Sequence, residues 1–257
     1  MPVFSIPTTA PERELTLYSF LGVILILLAA AGLASLDSWQ SATLPGATIS
    51  LLCWCYICWQ SHKRVDLNYN PQDGEHYQTL GWGTQITLLR GLLIAATAGF
   101  IPVAISASHS AWLFIPALFY TAAAIGDALD GFLARRQQHI TRLGAELDTV
   151  LDALGLLVAP LLAVMSGKLH SSYLLVSLAY YLFRLGISWR KRQGKIVHAL
   201  PPSKMRRQLA GWQMALVATA LWPPISGSVT QWLGFVFMLP LLAGFWRDWL
   251  AVSGRQT

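Results

Sequence analysis

Five carboxylates, Asp127, Asp130, Glu146, Asp148 and Asp152, crowd into one short and otherwise apolar stretch of a chain that has only twelve acidic residues in all. Carboxylates in such a setting can ligate a hard cation, take up a proton, or pair with a buried base. Asp127 and Asp130 stand one helical turn apart, as do Asp148 and Asp152, so each pair shares a helix face. The segment between them, Arg135 to Arg142, is short enough to make the two helices antiparallel neighbours that aim both pairs into one gap. Four carboxylates so placed could hold one or two divalent ions. With no Cys or His in the cluster, an all-oxygen set favours Mg²⁺, or Mn²⁺ or Ca²⁺, over zinc. The alternative is an ion network with Arg90, Arg135 or Arg184 in a non-catalytic membrane protein or a cation transporter.

The elements that must position these residues are membrane helices. Of 257 residues, 54% are hydrophobic and 12% charged, against about 25% charged in an average soluble domain. Leu15 to Leu36 contains no charge and exceeds the roughly 20 residues that cross the hydrocarbon. Thr43 to Trp59 follows as a shorter span. Six more are expected at Thr84 to Ser106, Ala111 to Leu133, Leu143 to Ser166, Ser171 to Trp189, Gln208 to Ile225 and Val229 to Leu250. The fold class is therefore an all-α polytopic bundle of eight helices. Pro11, Glu12 and Glu14 precede the first apolar run, which argues against a cleaved signal peptide. Because a carboxylate at the centre of a membrane helix costs about 2.5 to 3.5 kcal/mol, the aspartates need a neutralising partner, which a bound cation would supply.

Basic residues set the expected orientation. Lys63 and Arg64, Arg135, Arg136 and Arg142, and the run Arg190 to Arg207 fall on one side, which is then cytoplasmic together with both termini. The opposite loops, around 37–41, 108–110, 167–170 and 226–228, hold one Lys or Arg, Lys168. The net charge of +6 is accounted for by anionic lipid headgroups beside these span ends, and no basic segment interleaved with stacking aromatics suggests nucleic acid. Cys53, Cys55 and Cys58 lie within an apolar helix without an accompanying His and read as buried thiols. Several of the eleven tryptophans, including Trp39, Trp59, Trp82, Trp112, Trp189 and Trp249, fall near span ends as interfacial anchors. The polar stretch from Ser61 to Gly83, dense in turn formers at 68–74, reads as a cytoplasmic connector. It divides residues 1–83, a two-helix extension, from a six-helix core at 84–257.

The order Asp127-x-x-Asp130-Gly131-x-x-Ala134-Arg135, eight residues, Gly144, three residues, Asp148, three residues, Asp152 resembles the signature of the CDP-alcohol phosphotransferase family at all eight fixed positions. The resemblance covers the chain from about Thr84 onward and leaves the first two helices outside. It implies a two-metal site held by Asp127, Asp130, Asp148 and Asp152, most simply two Mg²⁺ or Mn²⁺ ions, with Asp152 also the proton acceptor. It implies CDP contacts from Gly131, Ala134 and Arg135, from Thr141, and from the segment Thr84, Gln85 and Thr87. Thr84 and Gln85 replace the commoner Asn or Asp there. The chemistry implied is attack of an alcohol on the β-phosphorus of a CDP-linked lipid such as CDP-diacylglycerol, with CMP leaving, at the cytoplasmic face of a bacterial inner membrane. Homodimers are common in the family. Arg184 and Lys204 are candidate contacts to a phosphorylated acceptor. Thr87-Leu-Leu-Arg90 and Ser203-Lys204 resemble segments of phosphatidylglycerophosphate synthases, which implies glycerol 3-phosphate.

Overall fold

The computed structural model describes residues 9–35, 40–105, 112–200 and 203–255. Most of the loop expected at 37–41, the loop at 108–110, and Trp39 lie outside the described residues. Nine α-helices are seen among those described: α1 (Ala10–Ala34), α2 (Gln40–His62), α3 (Gly81–Ala98), the short α4 (Ile101–Ile105), α5 (Phe114–Arg136), α6 (Arg142–Met165), α7 (Leu174–Arg192), α8 (Lys204–Leu221) and α9 (Gly227–Ser253). Extended pairing among the described residues is confined to an isolated bridge, Tyr69 with His76, in the connector. Among the described residues, six helices are long and apolar enough to cross a bilayer. α7 and α8 have 19 and 18 residues but carry Arg184 and Arg190 to Arg192, and Lys204, Arg206 and Arg207 respectively. The chain is a multi-pass, all-α membrane protein.

Local chemistry sets the helix ends. α1 begins in a capping box, where the Thr9 hydroxyl accepts from the Glu12 N–H and the Glu12 carboxylate accepts from the Thr9 N–H, so two otherwise orphaned donors are satisfied. The span expected at 84–106 is divided: α3 stops at Ala98 and α4 resumes at Ile101, because Pro102 has no N–H to continue the ladder. α8 begins four residues before the expected Gln208 and ends at Leu221. Ser203 caps its start by accepting from the Arg206 N–H at 3.3 Å, and Pro223-Pro224 stops its far end.

The chain divides into two compact units, residues 1–158 and 159–257, with the boundary inside α6. In the first, α1 packs along α2, α2 against α3, and α3 along α5. One core cluster joins Ile26, Trp54, Ile57, Ile94, Ala95, Ala98, Ala123, Leu151, Leu154 and Val158. Trp54 is buried and its indole donates to the Ser19 carbonyl at 2.9 Å. A Cβ on Gly22 would fall 2.2 Å from that ring, so α1 closes on α2 only with glycine there. Ala95, Ala98, Ala117 and Ala123 are buried where helices cross, as expected when close backbone approach rather than expulsion of water drives association in lipid. A second cluster, Leu15, Leu80, Leu88, Leu143 and Leu147, ties the starts of α1, α3 and α6.

In the second unit, α7 and α8 pack on α9. Arg206 grips the buried Asp248 as a fork, Nε to Oδ2 at 2.7 Å and Nη2 to Oδ1 at 3.0 Å. Gly254, with φ 69°, ends α9 in the left-handed conformation that glycine adopts without steric cost.

Candidate active site

The site is assembled from α3, α5 and α6. Thr84, Thr87 and Arg90 are spaced by one turn on α3 and are all buried. Their face meets Asp127 and Asp130 on α5 and Asp148 and Asp152 on α6. α3 and α5 approach closely because a Cβ on Gly83 would lie 2.9 Å from the Ala134 methyl and 3.1 Å from the Asp130 carbonyl. The antiparallel arrangement expected from the short α5–α6 segment is realised, and both carboxylate pairs converge.

They converge on Arg90. One guanidinium nitrogen, Nη2, contacts Asp127 Oδ1 at 2.5 Å and Asp152 Oδ1 at 3.2 Å, and the other, Nη1, contacts Asp130 Oδ2 at 2.6 Å and Asp148 Oδ1 at 2.8 Å. The arginine side chain is only 1% exposed. Its stem passes Gly126, where an added Cβ would sit 2.7 Å from the Arg90 Cγ. The Thr87 hydroxyl lies 3.1 Å from Asp130 Oδ2. Each carboxylate thus gives one oxygen to Arg90 and keeps the other. When all four are ionised, a single guanidinium leaves the cluster strongly negative, and this is the electrostatic condition for a divalent cation. Oxygens of Asp127, Asp148 and Asp152 lie within 4.8 Å of one another and can converge on an ion. The side chains differ in access: Asp130 is 11% exposed, against 36%, 43% and 49% for Asp127, Asp148 and Asp152.

Beside the aspartates is an open cavity of about 230 Å³. Thr84, Thr87, Asp130, Gly131, Ala134, Arg135, Thr141 and Asp148 line it, together with Gly83, His139, Ile140, Gly144 and Ala145. Thr141 precedes α6 and caps it, accepting from the Gly144 N–H at 2.9 Å, and its hydroxyl lies 3.4 Å from that of Thr84. Burial holds the His139 imidazole below its ordinary pKa. Gln85 is half-buried and is not among the lining residues. Arg184 and Lys204 are both exposed and belong to the second unit.

Residues 83–241 match the family described as CDP-alcohol phosphatidyltransferase. The chain belongs to this family. Among curated proteins it is similar to the CDP-diacylglycerol–glycerol-3-phosphate 3-phosphatidyltransferases of Escherichia coli (strain K12) and of Shigella flexneri and Shigella sonnei. It is 32% identical to each over 148 residues, which covers 55% of this chain and 76% of each relative. No solved structure matches it significantly. Membership makes the protein a membrane transferase of substituted phosphate groups that uses a CDP-alcohol donor and an alcohol acceptor in phospholipid synthesis. The family is generally dependent on divalent metal, in keeping with the hard oxygen donors found here.

In the sequence Arg90 stands out only as one partner for an ion network and within the segment resembling phosphatidylglycerophosphate synthases, and His139 carries no signal of its own. A signal for Arg90 was available: an arginine inside an apolar span, one turn from Thr87, must find counter-charges there, and membrane-embedded bases mark function by default.

Proposed function

We propose that this transferase moves the phosphatidyl group of CDP-diacylglycerol to glycerol 3-phosphate, releasing CMP. The observation that carries this reading is that α3, α5 and α6 bring all four signature aspartates together beside a cavity lined by Gly131, Ala134 and Arg135. The named acceptor of the curated relatives supports the choice of glycerol 3-phosphate.

In this reading Asp127, Asp130, Asp148 and Asp152 hold two Mg²⁺ or Mn²⁺ ions, which when bound neutralise the pyrophosphate and activate its phosphorus. Arg90 grips one oxygen of each carboxylate, fixing their directions from behind, as outer partners do around metal ligands. Arg135 binds phosphate oxygens, and Gly131, Ala134, Thr84, Thr87 and Thr141 shape the CDP pocket, with Gln85 at its margin. Asp152 takes the proton from the acceptor hydroxyl. That oxygen forms a bond to the β-phosphorus while the bond from phosphorus to CMP breaks, and the leaving CMP carries the electron pair. Arg184 and Lys204 bind the phosphate of the acceptor. Residues 1–83 form an extension to a six-helix catalytic core at 84–257, which pairs as a homodimer. The clustering of Lys and Arg supports an active site at the cytoplasmic face, in a bacterial inner membrane.

The test is CMP release from CDP-diacylglycerol by the purified protein against a panel of alcohols. Glycerol 3-phosphate should give the highest rate, EDTA should abolish it, and Mg²⁺ or Mn²⁺ should restore it. A preference for an unphosphorylated alcohol would remove glycerol 3-phosphate as the acceptor, and no release with any acceptor would remove the catalytic reading. A cation transporter using the same aspartates would show ion flux without CMP.

A further inference from the structure

We propose that the connector between α2 and α3 is a working part of the donor site, in which Tyr77 and Asn68 position the α5–α6 loop so that His139 and Thr141 form one wall of the CDP pocket. This rests on the reading of the cavity as that pocket.

The loop is short and its residues face the cavity. It runs over residues 137–141 between α5 and α6, and His139, Ile140 and Thr141 line the cavity. Gln138 sits at φ 52° just past the C-cap of α5, the left-handed position closed by the His139 N–H donating to the Ala134 carbonyl at 3.0 Å, and it is a place that glycine takes without the steric cost a Cβ brings.

The connector and the first turn of α3 contact the loop at Gln137, Gln138 and His139 and the start of α6 at Arg142. The Trp82 N–H donates to Gln137 Oε1 at 3.1 Å, the Tyr77 hydroxyl donates to the Gln138 carbonyl at 3.2 Å, and the Arg142 N–H donates to the Tyr69 carbonyl at 3.0 Å. The Tyr77 ring stacks on His139 with centroids 3.8 Å apart and planes inclined by 23°. His139 Nε2 donates to the Thr79 carbonyl at 3.2 Å, which holds the ring orientation and leaves Nδ1 as its remaining polar atom. Asn68 braces the connector itself: it is 2% exposed, and its amide donates to the carbonyls of Tyr77 and Thr79 at 3.1 and 3.0 Å. Gly81, at φ 72°, opens α3 where a Cβ would lie 2.4 Å from the His139 ring. The α1 helix is drawn in as well, because Glu14 accepts from the Leu80 N–H at 3.2 Å. The extension therefore does more than anchor the core: through its connector it dictates the shape of a wall it does not itself form.

The experiment uses the full-length purified enzyme. Tyr77→Ala should raise the KM for CDP-diacylglycerol and the Kd for CMP by about tenfold, the size expected from losing one aromatic contact and one hydrogen bond, with kcat within about twofold of wild type. Amide hydrogen exchange across residues 137–141 should quicken in parallel. Tyr77→Phe, which removes only the bond to the Gln138 carbonyl, should raise KM about twofold to threefold and serves if Tyr77→Ala does not fold. Adding Gln138→Gly to Tyr77→Ala should recover part of the lost affinity, because glycine takes the left-handed conformation freely; a general loss of folding would not be rescued in this way. Unchanged CMP affinity and loop exchange in Tyr77→Ala would overturn the proposal, as would a fall in kcat at constant KM. Failure of the wild-type enzyme to bind CMP would instead refute the cavity as the CDP pocket, and loop exchange would still report whether the connector supports the loop.

Discussion

α1 and α3 are both apolar membrane helices, yet 11% of the most apolar window in α1 is buried inside the protein and 56% of that in the span that begins with α3. α1 turns Leu17, Phe20, Leu21, Ile24, Leu25 and Leu28 outward and buries little beyond Pro11, Leu15, Gly22 and Ile26. α3 buries Gly83, Thr84, Thr87, Leu88, Arg90, Gly91, Ile94, Ala95, Thr97 and Ala98. In water the apolar residues would mark the inside. In lipid they are at home on the outside, and the residues that identify an interior helix are the small ones that admit a neighbouring backbone and the polar ones that lipid cannot satisfy.

Five substitutions at four positions strain that contrast, in falling order of effect. Asp152→Asn should lower kcat by about 10²- to 10⁴-fold, the usual contribution of a positioned proton acceptor, while CMP binding stays close to wild type; near-normal turnover would remove Asp152 as the base. Arg90→Met should weaken Mn²⁺ binding, followed by electron paramagnetic resonance, by about 10- to 100-fold, since it frees all four carboxylates from their common grip. Arg90→Lys should recover only part, because an ammonium lacks the planar fork that spans four partners. Tighter Mn²⁺ binding in Arg90→Met would show that the guanidinium competes with metal instead of orienting its ligands. On α1, Gly22→Leu should destabilise the protein by about 1 to 3 kcal/mol through overpacking against Trp54. Leu25→Ala, on the outward face, should shift stability by no more than about 0.5 kcal/mol in a detergent melt. A large loss at Leu25 would mean that α1 has a protein neighbour on that face.

Much of this was legible in the sequence because it is periodic. Apolar runs separated by basic or turn-forming segments gave the long helices, and the one-turn spacing of Asp127 with Asp130 and of Asp148 with Asp152 gave the converging faces. What stayed hidden depends on contacts distant in the chain. The spacing of the aspartates left Arg90 as one of three possible partners, and only the packing of α3 against α5 and α6 puts it between all four. Tyr77 and His139 are unremarkable in isolation, and their stack follows from the way the connector folds back over the α5–α6 loop. The break between α3 and α4 turned on Pro102, whose effect an apolar pattern alone does not register.

Lys168 is the one Lys or Arg in the loops expected to face away from the cytoplasm, and its ammonium is spoken for. It donates to the carbonyls of Trp222, Pro223 and Ile225 at 3.3, 2.9 and 2.6 Å, clamping the turn that follows α8. All three of its protons point into peptide oxygens. A membrane-impermeant amine reagent should therefore find this lysine slow to react from either side until the loop is opened, so its labelling would report the closure of this turn and not the side of the membrane that the loop faces.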